Sequence, residues 1–76
     1  MTLILSTERK QLDSILEANI AIVEDTNNDS LTRKSSINNL NNFLVEVERY
    51  SLYSENEYFA IWIIIQKLIE RFSELN

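Results

Sequence analysis

Apolar residues recur along this chain at spacings of three and four, in three blocks. In the first block Leu12, Ile15, Leu16, Ile20 and Val23 keep that rhythm, which gathers side chains on one face of an α-helix. Ser6 or Thr7 can cap its start through a hydroxyl, so a first helix is predicted over about residues 7–25. Asn19 falls inside the stripe. It is either a polar position at the edge of the core or a buried amide that fixes the register of a packed seam. Glu24 and Asp25 close the helix, where the macrodipole favours cations instead. Thr26, Asn27, Asn28, Asp29 and Ser30 follow, residues whose side chains bond their own backbone and so make a loop.

Asp29 or Ser30 can cap a second helix, predicted over about residues 31–50. Its stripe is Ile37, Leu40, Leu44 and Val47, widened by Phe43 and Tyr50. The Asn38-Asn39 and Asn41-Asn42 pairs fall on the outer face, and asparagine is a poor helix former, so this half needs tertiary packing to hold. The third block has the most specific start. Ser54-Glu55-Asn56-Glu57 matches a capping box, and Tyr53 and Tyr58 occupy the positions of a hydrophobic staple around it. A third helix is predicted over about residues 55–75, with Tyr58, Ile61, Ile65, Leu68, Phe72 and Leu75 as one stripe and Phe59, Trp62 and Ile69 beside it. A strand over Phe59–Ile65 would suit the Ile, Phe and Trp there. The capping box before that segment and the stripe that continues through Leu75 favour helix.

The three elements predict an all-α fold: a single domain over residues 1–76, built as a small antiparallel three-helix bundle running up-down-up. The third helix is too apolar for an ordinary outer helix, so it is either central or completed by self-association or a partner. With its main stripe turned inward, Ile63, Trp62 and Phe59 are the candidates to remain near solvent, and a contiguous exposed apolar patch marks an interaction site.

Composition narrows the chemistry. The 76 residues include no Gly, Pro, Cys or His. Disulfides, thiolate zinc sites and histidine acid–base catalysis are therefore excluded. Phosphate-cradling glycine loops are excluded as well. No cofactor or metal is expected, and no enzymatic activity: the serines serve as caps, and the carboxylates fall on outward helix positions of a chain too small to enclose a substrate cleft. The longest apolar run, Tyr58–Ile65, is eight residues, against the roughly 18 a bilayer span requires. The first residues, Met1 to Ser6, contain no basic stretch and too few apolar residues for a signal peptide. Together with the missing cysteines this predicts a cytoplasmic protein without membrane attachment. Ten Ile and nine Asn fit an AT-rich coding sequence of bacterial or phage type.

Twelve acidic against seven basic residues leave a net charge of −5, the wrong sign for direct nucleic-acid binding. The acids cluster. Glu46, Glu48, Glu55 and Glu57 surround the second turn, with Arg49 the nearby base in sequence. Asp13, Glu17 and Glu24 form a secondary strip on the first helix, expected at the other end of the bundle and partly neutralised by Arg33 and Lys34. The expected function is a protein-binding module whose acidic rim neutralises a basic partner of toxin or nuclease type, as an immunity protein, antitoxin or phage anti-defence inhibitor does. The alternative is a helical adaptor, a secretion-type chaperone or a homodimer formed through Phe59, Trp62 and Ile63.

Overall fold

The structure, a computed structural model, describes the backbone of residues 2–75 and the side chains of residues 9–75. Helix α1 spans Thr2–Glu24, α2 spans Ser30–Arg49 and α3 spans Glu55–Arg71, followed by a single 3₁₀ turn at Ser73–Leu75. No strand occurs among the described residues, so the segment with the β-favouring composition is helical. Helix α2 packs on both α1 and α3. Arg9 pairs with Glu57 near one end of the bundle and Glu24 pairs with Arg71 near the other. Helices α1 and α3 therefore run the same way with α2 antiparallel between them, the predicted up-down-up bundle.

Each helix end has a physical cause. The Asp29 carboxylate accepts from the Thr32 amide at 2.7 Å and caps α2. The hydrogen bonds from the Thr32 side chain and then its backbone hold that carboxyl below the usual range. Helix α2 ends in a Schellman arrangement: the Leu52 amide donates to the Val47 carbonyl at 3.0 Å and the Ser51 amide to the Glu48 carbonyl at 3.3 Å. Ser51 takes φ 50° to do so, a left-handed conformation that glycine would adopt at no steric cost. Ser54 and Glu57 form the predicted capping box, each side chain accepting from the other's backbone amide.

Several expectations change. Helix α1 begins at Thr2 and runs through Ser6 and Thr7. A hydroxyl caps only where the backbone leaves the helix, and nothing in Thr2–Thr7 breaks one; the Ser6 and Thr7 side chains lie outside the described ones. Helix α3 stops at Arg71 instead of continuing to residue 75. The tighter 3₁₀ turn that follows, with the Leu75 amide on the Phe72 carbonyl at 2.9 Å, keeps Phe72 and Leu75 on one side, and both are buried. Ile15, placed in the core stripe from sequence, is 48% exposed, because α1 packs closely on α2 alone and its flank stays outside. Tyr50 is 61% exposed; it is the C-cap residue of α2, where the chain leaves the helical path.

The central helix is α2, not α3. Arg33, Ser36, Ile37, Leu40, Phe43, Leu44 and Val47 of α2 are buried, whereas α3 buries Ile61, Ile65 and Leu68. Val23, Leu40, Val47 and Ile65 lose essentially all contact with solvent, and each contributes about 1.5–3 kcal/mol relative to exposure. Asn19 is an edge residue, half-buried. Its Oδ1 still accepts from the Asn39 amide of α2 at 3.2 Å, while its own amide donates to the Ile15 carbonyl at 2.8 Å.

Candidate functional site

The second turn brings the C-terminal end of α2 against the N-terminal end of α3. The capping box holds the first turn of α3 in place, and the Tyr58 hydroxyl donates to Glu48 Oε2 at 3.4 Å across the two helices. Burial first, and then the Glu48 charge, raise the Tyr58 hydroxyl above its ordinary value. Between them lies an open groove of ≈ 570 Å³ lined by Glu48, Glu55, Asn56, Tyr58 and Phe59. Trp62 stands one helical turn beyond Phe59, with the two rings stacked at 6.1 Å between centroids and 15° between planes. Phe59 is 59% exposed and Trp62 is 41% exposed. Two carboxylates and two accessible aromatic faces thus share one edge of the bundle.

Only part of the predicted acidic rim is free. Glu48 and Glu55 line the groove. Glu46 is exposed but points away from Glu48, because positions two apart on a helix diverge by about 200°. Glu57 is occupied: Oε1 accepts from the Ser54 amide at 3.2 Å, and Oε2 pairs with Arg9 of α1. Of the apolar candidates, Phe59 and Trp62 are exposed as predicted, while Ile63 is half-buried and Ile64 is the more accessible neighbour at 49%.

The secondary strip is dispersed. Asp13 lies at the second-turn end, where it accepts from the Tyr53 hydroxyl at 2.8 Å and lies 3.9 Å from Arg9 Nε. Glu24 lies at the other end, paired with Arg71 at 3.5 Å. Glu17, between them, is exposed. The expected separation of two acidic groups at opposite ends therefore fails at Asp13. Arg33 does not neutralise surface acids either. It is 8% exposed, donates from Nε to the Val23 carbonyl at 2.9 Å, and lies 4.9 Å above the Phe72 ring.

Sequence reasoning missed the network on Arg9. Its guanidinium stacks 4.1 Å from the Tyr53 ring centroid while joining Asp13 and Glu57. Tyr53 also packs on Phe43. Burial, and then the hydrogen bond to Asp13, push the Tyr53 hydroxyl up to about 12. Arg9 and Asp13 are a local i,i+4 pair, but Tyr53 and Glu57 lie 40 or more residues from both, and no local spacing signals that meeting.

Among the described residues no group of three or more His, Cys, Asp or Glu side chains is placed to hold a metal. No described helix is long and apolar enough to cross a membrane. Comparison with protein-family models, curated proteins and solved structures finds no match.

Proposed function

We propose that this chain is a protein-binding module that takes a basic partner on the groove at the second turn and so neutralises it. The observation that carries the reading is that Glu48 and Glu55 share one groove with Phe59, whose ring stacks on the exposed Trp62. Such a surface suits an Arg or Lys side chain: the carboxylates supply charge-assisted hydrogen bonds and the rings a cation–π face. Arginine and aromatic residues are also the usual anchors of protein interfaces. A nuclease-like protein is basic because its substrate is a polyanion, and an acidic protein of net charge −5 can occupy that same surface. The class is thus an immunity protein, antitoxin or phage anti-defence inhibitor, acting in the cytoplasm.

The alternative, a homodimer or adaptor formed through Phe59, Trp62 and Ile63, is weaker for a physical reason. A two-fold axis at this patch would bring the Glu48 and Glu55 pairs of both copies together, and like charges across an interface are costly.

The test is co-purification from the native host with wild type and with the E48K/E55K and F59A variants, followed by binding kinetics on the recovered protein. A basic partner held by wild type and lost by E48K/E55K, with an association rate that falls steeply with salt, is the expected result. An acidic partner, or undiminished binding by E48K/E55K with unchanged helical circular dichroism, would overturn the assignment.

A further inference from the structure

A different face of the bundle is self-complementary. The backbones of α1 and α3 do not close on one another as each closes on α2. Their gap is spanned near its ends by the Arg9–Glu57 and Glu24–Arg71 pairs. Between these bridges runs a groove lined by Ile20, Ile64 and Leu68 with Glu24, Lys67 and Arg71. Ile64 is 49% exposed, and the flanking Ala21 and Ala60 are exposed and small, so nothing bulky keeps another helix pair from settling on the groove.

The charges along its two lips have an order. Lys10, Glu17 and Glu24 stand seven residues apart and so form one line along α1. On α3 the corresponding line is Glu57, Ile64 and Arg71, with Lys67 beside Ile64. The Glu24–Arg71 bridge shows which positions are level, and the same offset puts Lys10 level with Glu57 and Glu17 level with Ile64. The α1 lip therefore reads positive, negative, negative, and the α3 lip negative, apolar, positive, with Lys67 adding a second positive charge about 4.5 Å beyond Ile64 toward Arg71.

We infer that this face joins two copies of the chain about a two-fold axis parallel to the helices. That axis lays the α1 lip of each copy over the α3 lip of the other, in the same direction. Glu17 then meets the partner's Lys67, and the Glu24–Arg71 bridge of each copy lies against that of the other with opposite signs facing. Lys10 comes level with the partner's Glu57, which Arg9 of its own chain already holds, and the isoleucines lie between them. A two-fold axis across the helices would instead set Glu17 against its own copy. Charge complementarity of this kind fixes the orientation of an interface more than it adds affinity. Phe59 and Trp62 project from the other side of α3, about 140° or more from Ile64, so the dimer leaves both second-turn grooves open. The inference does not rest on the proposed partner, and failure of either leaves the other standing.

The experiment is sedimentation velocity of wild type, E17K, K67E and the E17K/K67E double variant, in low salt and in about 1 M salt, where the Debye length falls to about 3 Å. Glu17 and Lys67 are exposed and form none of the described ion pairs, and helical circular dichroism checks that each variant is folded. Wild type should dimerise in low salt and more weakly in high salt. Each single reversal should weaken the dimer about tenfold, because the two-fold repeats every lost pair. The double variant should recover it, since each reversed charge then faces a reversed partner across the axis. A wild type that stays monomeric in low salt at about 1 mM, the weak end of specific association, overturns the inference. So does a dimer indifferent to the single reversals, which would place the contact on another face, or a double variant no tighter than the singles.

Discussion

Replacing Arg33 tests whether a buried cation holds the first turn together. Arg33 is 8% exposed, donates from Nε to the Val23 carbonyl at 2.9 Å and lies over the Phe72 ring at 4.9 Å, while its Nη2 has no partner. Val23 is in the last turn of α1, where carbonyls lack helical partners and a cation is favoured. The side chain thus closes α1 from α2 and packs against the residue that ends α3. Losing the hydrogen bond costs about 1.5–3 kcal/mol, and losing the ring contact about 0.5–2 kcal/mol. Against this stands the desolvation of a buried guanidinium with one nitrogen unsatisfied, which a neutral residue relieves. Arg33→Ala loses contacts and volume together, so the expected cost is about 2–4 kcal/mol. That is a large part of the roughly 5–10 kcal/mol available to a domain of this size. Arg33→Met restores volume and removes the buried charge, so it should cost no more than about 1 kcal/mol. Arg33→Lys keeps the charge without the planar stack and should fall between them. Urea unfolding followed by circular dichroism measures all three. A cost for Arg33→Ala below about 1 kcal/mol, within the range of ordinary surface substitutions, or equal losses for Met and Ala, would refute this account of the residue.

Ser51→Gly should raise the urea midpoint, stabilising by about 0.5–1 kcal/mol, because Ser51 holds φ 50° where glycine carries no Cβ penalty. Tyr53 titrates at about 12 when folded against about 10 in an unfolded chain, so its contribution is complete below the unfolded value and is lost as pH rises toward the folded one. Alkaline unfolding between those limits should flatten in Tyr53→Phe, which should also cost about 1 kcal/mol at neutral pH for the lost Asp13 bond. Asp29 has the opposite sign: its folded carboxyl is lowered, so its stabilisation is present above the unfolded value and fades as pH falls through the folded one. The protection factor of the Thr32 amide, its exchange rate relative to an unstructured amide at the same pH, should fall on acidification in wild type and be low at all pH values in Asp29→Ala.

The bundle was legible because its signals are local. The stripes, the Asx loop after α1 and the capping box at Ser54 each lie within a few residues, and each is decided by backbone geometry. What sequence could not show depends on residues far apart. Arg33 read as a surface charge and Arg9 drew no reading, since nothing nearby says that one meets Val23 and Phe72 and the other Tyr53 and Glu57. The rim was over-counted for the same reason: four glutamates lie near one turn in sequence, but the helical twist turns Glu46 away and Arg9 occupies Glu57. The exposed aromatic pair was half legible. Periodicity placed Phe59 and Trp62 beside the main stripe, but which flanking isoleucine stays open depends on where α1 lies, and Ile64 is more exposed than Ile63.

The most apolar helix is not the central one, and this has a consequence for function. In an up-down-up chain with short loops, the middle helix of the sequence is the one that both neighbours must touch. Helix α2 therefore holds the centre although α3 is the richer in large apolar residues and α2 carries four asparagines on its exposed side. Helix α3 has one close neighbour where its composition would suit two. Its apolar surface is left over on two flanks, Phe59 and Trp62 on one and Ile64 on the other. The first flank is bordered by Glu48 and Glu55, which repel a second copy and attract a basic protein. The second is bordered by both signs, Glu24 with Lys67 and Arg71, which a second copy can match. The same surplus, divided by the charges around it, supports two different associations that need not compete.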